Sequence, residues 1–272
     1  MQYEIKRYPV HHPLLKNYIK FFWEINANYM QLCHKITPQR NINLRFNLSE
    51  TPQYACIENE DSLLEEVSFS GLQDSFRNIQ LKSEGCVKTF GISFQPYGFY
   101  PFFKIPVSEF KNQLLGGNEI GFKATNEINE RLKEASNSTE RLMIVENELI
   151  KRLDDNLMPK GFEHIFNRLQ SSGEKRKITD LCEQNNLGIR QLERMYNKYV
   201  GISAMTYITL HRFHQSTSQL LSGHYTKLSD IAYDNGYYDQ MHFIKDFKRF
   251  TGKAPQEFIN QNGSMLQIGK FT

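Results

Sequence analysis

Ile178-Thr179-Asp180-Leu181-Cys182 and Leu228-Ser229-Asp230-Ile231-Ala232 are one pattern written twice, fifty residues apart. In each copy a hydroxyl residue is followed by an acid, a pair suited to the N-cap and the positive end of a helix. Apolar residues then fall at i, i+3 and i+4, the spacing of one helix face. A turn follows at Asn185–Gly188 in the first copy and Asn235–Tyr238 in the second. Beyond the turn the offset becomes 51: Leu192 matches Phe243, Arg194 matches Lys245, Tyr196 matches Phe247, Lys198 matches Arg249, Gly201 matches Gly252 and Tyr207 matches Phe258. The offset places one added residue at the start of the second copy's later helix.

Each copy therefore reads as helix, short turn, helix, glycine, the plan in which a second helix enters the major groove of DNA. The polar face of that helix carries Arg190, Gln191, Arg194 and Lys198 in the first copy, and Gln240, His242, Lys245 and Arg249 in the second. Arg reads guanine through two parallel hydrogen bonds, and Gln reads adenine in the same way. A helix from near Ser203 to about Leu221 joins the copies. Such a connector would set two recognition helices one DNA turn apart, roughly 34 Å. A repeated helical hairpin is also a common scaffold, and a basic helix face is commonly only solvated. The matched glycines and the matched Arg194 and Lys245 favour DNA.

The stretch from Ile178 to Ile259 resembles the C-terminal domain of the AraC/XylS family of bacterial transcription activators. The residues that carry the resemblance are Ser229-Asp230-Ile231-Ala232-Tyr233-Asp234-Asn235-Gly236-Tyr237, then Phe243, Phe247-Lys248-Arg249-Phe250, Thr251-Gly252, Pro255 and Phe258. Leu192-Glu193-Arg194-Met195-Tyr196 and Gly201-Ile202-Ser203 carry it in the first copy. The resemblance implies a seven-helix reader with recognition helices at about 189–199 and 240–250. By position it implies base or groove contacts from Arg190, Glu193 and Arg194, and from Gln240, Met241, His242 and Lys245. Gly188 stands where many members have a capping Ser. His211-Arg212-Phe213 and Thr217 also depart from the family's usual residues.

The chain outside this module has another texture. Tyr3–Tyr8, Tyr18–Ile25, Ile42–Leu48, Val67–Phe69 and Val87–Phe94 are short runs rich in Ile, Val, Phe and Tyr, broken by Pro, Asn and Gly. Short strands without long intervening helices imply an antiparallel barrel or sandwich. The aromatic segment Phe94–Pro106 reads as irregular with a short helix. From about Glu119 the spacing of Ile128, Leu132 and Ala135, and of Leu142, Val145, Leu149 and Leu153, is helical. Met158-Pro159-Lys160-Gly161 reads as a boundary. The expected class is thus α+β: a β-rich sensor or dimerisation domain over 1–118, a helical connector over 119–160, an all-α double helix-turn-helix over 161–262, and a tail over 263–272. The N-terminal half resembles the β-rich sensor domains attached to the same family, through Pro13-Leu14-Leu15-Lys16-Asn17-Tyr18-Ile19-Lys20-Phe21-Phe22-Trp23, Asn47-Leu48 and Phe94-Gln95-Pro96-Tyr97-Gly98. That resemblance implies sensing or dimerisation.

Composition agrees with a globular chain. Hydrophobic residues make up 39% of 272, and no apolar run approaches the roughly 18–20 residues of a membrane span. Residues 173–272 hold 13 Lys and Arg against 9 Asp and Glu, whereas the first 172 hold 20 against 21. Positive charge therefore gathers at the DNA-reading end. Cys33, Cys56, Cys86 and Cys182 form no CxxC pair, which argues against a zinc knuckle and suits idle thiols in a reducing cytoplasm. His11-His12 and Cys33-His34 would ligate metal only if the fold joined them, and no metal or cofactor is expected. Lys175-Arg176-Lys177 reads as a solvated loop that touches phosphates.

No nucleophile elbow, P-loop or Gly-rich dinucleotide motif is present, so catalysis is not expected. Trp23, Arg45, Phe94 and Tyr97 are the candidates for a ligand pocket, with an aromatic core or interface as the alternative for the last two. Arg45 is expected to project to solvent; buried in a barrel it would need an anionic partner. The reading is a DNA-binding regulator with a small-molecule sensor, working with RNA polymerase and as a monomer or a homodimer. Its rivals are a barrel enzyme fused to a DNA-targeting module, such as one moving a methyl group to an activated Cys, and a purely structural DNA-bridging protein.

Overall fold

The computed structural model describes residues 4–27, 32–35, 38–77, 79–83, 85–119, 125–171 and 178–260. The strands are β1 (Glu4–Tyr8), β2 (Ile19–Ala27), β3 (Leu32–Lys35), β4 (Asn43–Asn47), β5 (Gln53–Ile57), β6 (Glu60–Leu63), β7 (Val67–Ser70), β8 (Ile79–Ser83), β9 (Val87–Phe94) and β10 (Leu114–Gly116). They form a six-stranded sheet in the order β1-β2-β9-β4-β7-β10 and a four-stranded sheet in the order β3-β8-β5-β6. Every pairing is antiparallel.

Register sorts the larger sheet into two unlike faces, because side chains alternate along each strand. One face carries Phe22, Ile92, Leu44 and Phe69 in one cross-strand row and Phe90, Phe46 and Val67 in the next. These residues share a core with Ile128 and Leu132 of α2 (Thr125–Glu134) and Val145 and Leu149 of α3 (Ser138–Arg152). The short α1 (Tyr100–Phe103) closes that core with a cluster of Phe94, Phe99, Phe102 and Phe103, in which Phe99 stacks on Phe103 and Phe94 meets Phe99 and Phe103 edge-on. α2 and α3 thus pack into the core of the N-terminal sheet. Glu24, only 3% exposed, is satisfied on this side by Tyr8, Ser138 and Arg141, which pins α3 to β2.

The opposite face is polar. Its rows run Trp23–Gly91–Arg45–Ser68 and Phe21–Ser93–Asn43–Ser70, with Thr89 and Asn47 beside them. The second sheet covers it: Gln53 on β5 reaches Asn47 and Thr89, and receives a hydrogen bond from Arg45.

The C-terminal region is helical: α4 (Phe162–Ser171), α5 (Ile178–Gln184), α6 (Ile189–Tyr199), α7 (Ala204–Ser222), α8 (Leu228–Asp234), α9 (Gln240–Thr251) and α10 (Pro255–Asn260). Leu192, Tyr196, Leu210, Phe213, Phe243 and Phe247 sit in one buried core. Met158, inside the boundary read from Met158–Gly161, packs against both cores.

Local details correct two expectations about the repeat. The added residue lies in the second turn, not in the helix: residues 185–188 join α5 to α6, whereas 235–239 join α8 to α9. That extra residue, Asp239, caps α9 by accepting the His242 N–H at 2.7 Å. In α8, Ser229 lies inside the helix, and the cap is completed by Asp230, which accepts the Lys227 N–H at 2.8 Å. Gly188 begins α6 without any side-chain cap.

Candidate nucleic-acid interface

Helices α5 and α6 form one helix-turn-helix, and α8 and α9 the other, with α7 between them. Ser203 starts α7 by accepting the Thr206 N–H at 3.0 Å, and Gly223 ends it at φ 70°. Gly201 and Gly252 occupy the left-handed region that a helix C-cap needs, at φ 88° and 72°. This is the physical reason that both copies end on glycine.

Burial divides the candidate contacts into two groups. Arg190, Gln191 and Arg194 on α6 are exposed, as are Gln240, Met241, Lys245 and Arg249 on α9. Arg194 and Lys245 occupy the same place on the two helices, so the solvent-facing polar surfaces match between copies. The other three candidates are half-buried and make contacts within the protein. Glu193 accepts the Ala204 N–H at 3.3 Å and so ties α6 to the start of α7. Lys198 lies over the Tyr100 ring at 4.5 Å, and hydrogen bonding to Tyr100 raises its ammonium above the ordinary lysine range. His242 stands edge-on to Tyr237, with Nε2 3.6 Å from Asp246. Glu193, Lys198 and His242 are thus partly engaged within the protein while staying partly exposed.

Other residues share the open surface without having been singled out in the sequence. Asn197 and Lys248 are exposed one helical turn beyond Arg194 and Lys245, a spacing that periodicity already contains. Tyr238 is 85% exposed just before the N-terminus of α9, beside Met241, itself already a candidate and 72% exposed. The Tyr237-Tyr238 pair gives a sequence signal for the first, since Tyr237 is buried and its neighbour is turned outward.

The N-terminal region touches both units at their capping glycines. A Cβ at Gly201 would lie 2.7 Å from Val107, and one at Gly252 would lie 2.9 Å from Phe76. The Phe76 N–H donates to the Arg249 carbonyl at 2.9 Å, and the Tyr199 hydroxyl donates to the Leu157 carbonyl at 3.0 Å.

The pocket candidates separate. Phe94 is fully buried in the aromatic core, and Tyr97 packs edge-on against Phe166 of α4 at 4.9 Å. Neither lies on the polar face of the larger sheet that the second sheet covers. Trp23 and Arg45 do, on either side of Gly91. A Cβ at Gly91 would strike the indole at 2.0 Å, so the ring lies directly on that backbone. Arg45 does not project to solvent. It donates to Ser68 and Gln53, and its Nη2 is sealed from water with no hydrogen-bond partner. Burial pulls its guanidinium down to about 10, still cationic at neutral pH. No described carboxylate pairs with it.

Among the described residues, no cluster of three or more His, Cys, Asp and Glu residues is placed to hold a metal ion. The side chains of Cys33 and His34, and all of Lys175-Arg176-Lys177, lie outside the described residues. No described helix is long and apolar enough to cross a membrane.

Comparison with known proteins adds sequence kinship to this geometry. A family model described as a helix-turn-helix domain matches residues 181–261, and a domain of unknown function, DUF6597, matches residues 9–116. The HTH-type transcriptional activator RhaR of Yersinia pseudotuberculosis is 30% identical over 105 residues, which is 38% of this chain and 36% of RhaR. The Msm operon regulatory protein of Streptococcus mutans is 28% identical over 86 residues, covering 32% of this chain and 31% of that protein. The matched region thus spans about a third of the length of these curated relatives. The solved structure of ToxT from Vibrio cholerae covers 95% of this chain and 96% of its own at 14% identity, with a TM-score of 0.44.

Proposed function

We propose that this chain, whose C-terminal domain belongs to the AraC-type helix-turn-helix family, is a sequence-specific transcription regulator that lays α6 and α9 in successive major grooves. The observation that carries the reading is the pairing of exposed Arg194 and Lys245 at one position of two equivalently built helices. Arg190, Gln191 and Gln240 add hydrogen-bonding groups of the kind that read base edges, and Met241 adds an apolar tip suited to a thymine methyl. Because Arg190 in one copy stands at the position of Met241 in the other, the two half-sites should differ in sequence. That difference favours a reader over a uniform DNA-bridging scaffold.

Replacing Arg194 or Lys245 by Ala should weaken binding to the preferred site by about 1–3 kcal/mol. Titration of each variant against specific and scrambled duplexes at fixed salt checks this. Equal losses on both duplexes would reduce these residues to phosphate contacts, and no loss on either would refute the placement of α6 and α9.

The space between the sheets is the proposed effector pocket. Arg45, with one nitrogen sealed and unpartnered, fits an effector that offers a hydrogen-bond acceptor, and the Trp23 indole forms one wall. The chain acts by binding in this reading, in the cytoplasm, with RNA polymerase and a second copy of itself as protein partners. A methyl-accepting repair enzyme needs an activated thiolate. Two described thiols are pushed the other way: Cys56 is raised by its contact with Asp61, and Cys182 by burial.

A further inference from the structure

Among the described residues, the two most exposed large hydrophobic side chains, Tyr238 and Met241, stand three residues apart at the start of α9. Their backbone is held on both sides. Tyr237, just before Tyr238, is buried; its N–H donates to the Ala232 carbonyl at 2.9 Å, and Arg212 lies over its ring. Asp239, just after Tyr238, caps the helix by accepting the His242 N–H. The core takes the first of the two tyrosines and leaves the second outside. Met241 follows in the first turn of α9, with the exposed Lys245 one turn beyond it. The N-terminal end of a recognition helix is the end that meets base edges. This apolar pair is therefore continuous with the DNA-reading surface.

The first unit is built differently at this place. Leu187, just before the N-cap Gly188, packs against the helical core, and Arg190 stands at the position of Met241. One helix brings a guanidinium where the other brings a ring and a thioether. A thioether and the face of a phenol ring have little to offer the donors and acceptors of a base edge. The apolar group that a base pair presents in the major groove is the 5-methyl of thymine. Closing an apolar side chain on that methyl removes both from water.

We propose that α9 reads its block of DNA through thymine 5-methyl groups, with Tyr238 and Met241 closing on them, while α6 reads purine edges through Arg190 and Arg194. This rests on the regulator function proposed above and specifies the base chemistry of its second half-site. The contact is made by the Tyr238 ring, and its hydroxyl is dispensable.

The test uses the full-length protein and the duplex it enriches from a random pool. The α9 block is the one relaxed by Lys245→Ala. Each thymine in it is replaced in turn by deoxyuridine, which removes the methyl and keeps every hydrogen-bonding group. Affinity should fall about fourfold for each contacted methyl, the factor that burying one carbon supplies. Met241→Ala and Tyr238→Ser should each bind the thymine duplex more weakly and make at least one sensitive position indifferent to uracil. Tyr238→Phe should keep the full uracil response; loss of affinity in this variant, equal on both duplexes, would make the hydroxyl a phosphate contact and overturn the role of the ring. Tyr233→Ser, at an exposed tyrosine of α8, should change neither affinity nor response. An α9 block without a constrained thymine, indifference to uracil throughout that block, or a uracil response unchanged in both Met241→Ala and Tyr238→Ser overturns the proposal and leaves the regulator reading standing. The exposed pair would then belong to a protein contact. A protein that enriches no site at all overturns both readings.

Discussion

Asp246→Ala should cost about 3–5 kcal/mol of stability, the largest single-residue effect expected in the C-terminal domain. The carboxylate on α9 pairs with Arg212 on α7 at 3.2 Å, with the two side chains 12% and 6% exposed. Arg212 also donates to the Gly236 carbonyl at 3.4 Å and lies 4.2 Å from the centre of the Tyr237 ring. One guanidinium therefore joins the connector helix, the turn and the recognition helix of the second unit. Removing the acid leaves a buried cation without its counter-charge, and that desolvation is what the variant exposes. Joint replacement by apolar residues, Arg212→Met with Asp246→Leu, should recover much of the loss, because the cost lies in the unanswered charge rather than in the missing bond. Urea unfolding of the three proteins checks this. A loss below about 1 kcal/mol for Asp246→Ala would place the pair in the weak, solvated class instead.

Acid should loosen the contact between the N-terminal region and α7. The folded pKa of His211, about 4, lies below the unfolded value of 6.5. The folded state therefore favours the neutral ring, and the unfolded chain binds more protons between those values. Stability is complete above about pH 6.5 and falls as the pH drops towards 4, by about 3 kcal/mol from this residue. His214, also held below its ordinary range chiefly by burial, acts in the same direction. Lys20 behaves similarly at higher pH: its penalty disappears as the pH rises from about 8 through the ordinary lysine range. Urea unfolding at pH 7.5 and pH 5 should show the acid loss in the native protein and a smaller one in His211→Gln. A flat profile, or an unchanged loss in the variant, would contradict the burial of a neutral imidazole beside Arg40.

The parts of this molecule legible in its sequence are those governed by neighbours in the chain. The helix-turn-helix copies declare themselves through i, i+3 and i+4 spacing, Asn and Gly turns, and glycine caps, all fixed within a few residues. β2, β4 and β9 are legible for the same reason, since their runs of Ile, Leu and Phe form the larger sheet. The smaller sheet is not. Glu60–Leu63 is exposed throughout, and Gln53–Ile57 and Ile79–Ser83 mix polar with apolar residues, so neither strong hydrophobicity nor alternation marks them.

That hidden sheet is also why Arg45 reads as solvent-facing. Leu44-Arg45-Phe46-Asn47 alternates apolar with polar, the signature of a strand with one wet face, but β5 covers the polar side. Lys198 and Glu193 show the same limit on a helix. Periodicity places them on or beside the reading face, whereas Tyr100 and Ala204, from other elements, claim them. Sequence spacing gives the direction of a side chain; what stands in that direction is a tertiary fact.

The central claim is that one chain reads two blocks of DNA sequence through α6 and α9. Selection of bound duplexes from a random pool by the full-length protein tests it most directly, with Arg194→Ala and Lys245→Ala run in parallel. The enriched sites should contain two constrained blocks centred about one helical turn apart, roughly 10.5 base pairs. Arg194→Ala should relax one block and Lys245→Ala the other. A pool without enrichment, or sites whose two blocks are indifferent to both substitutions, would contradict the account.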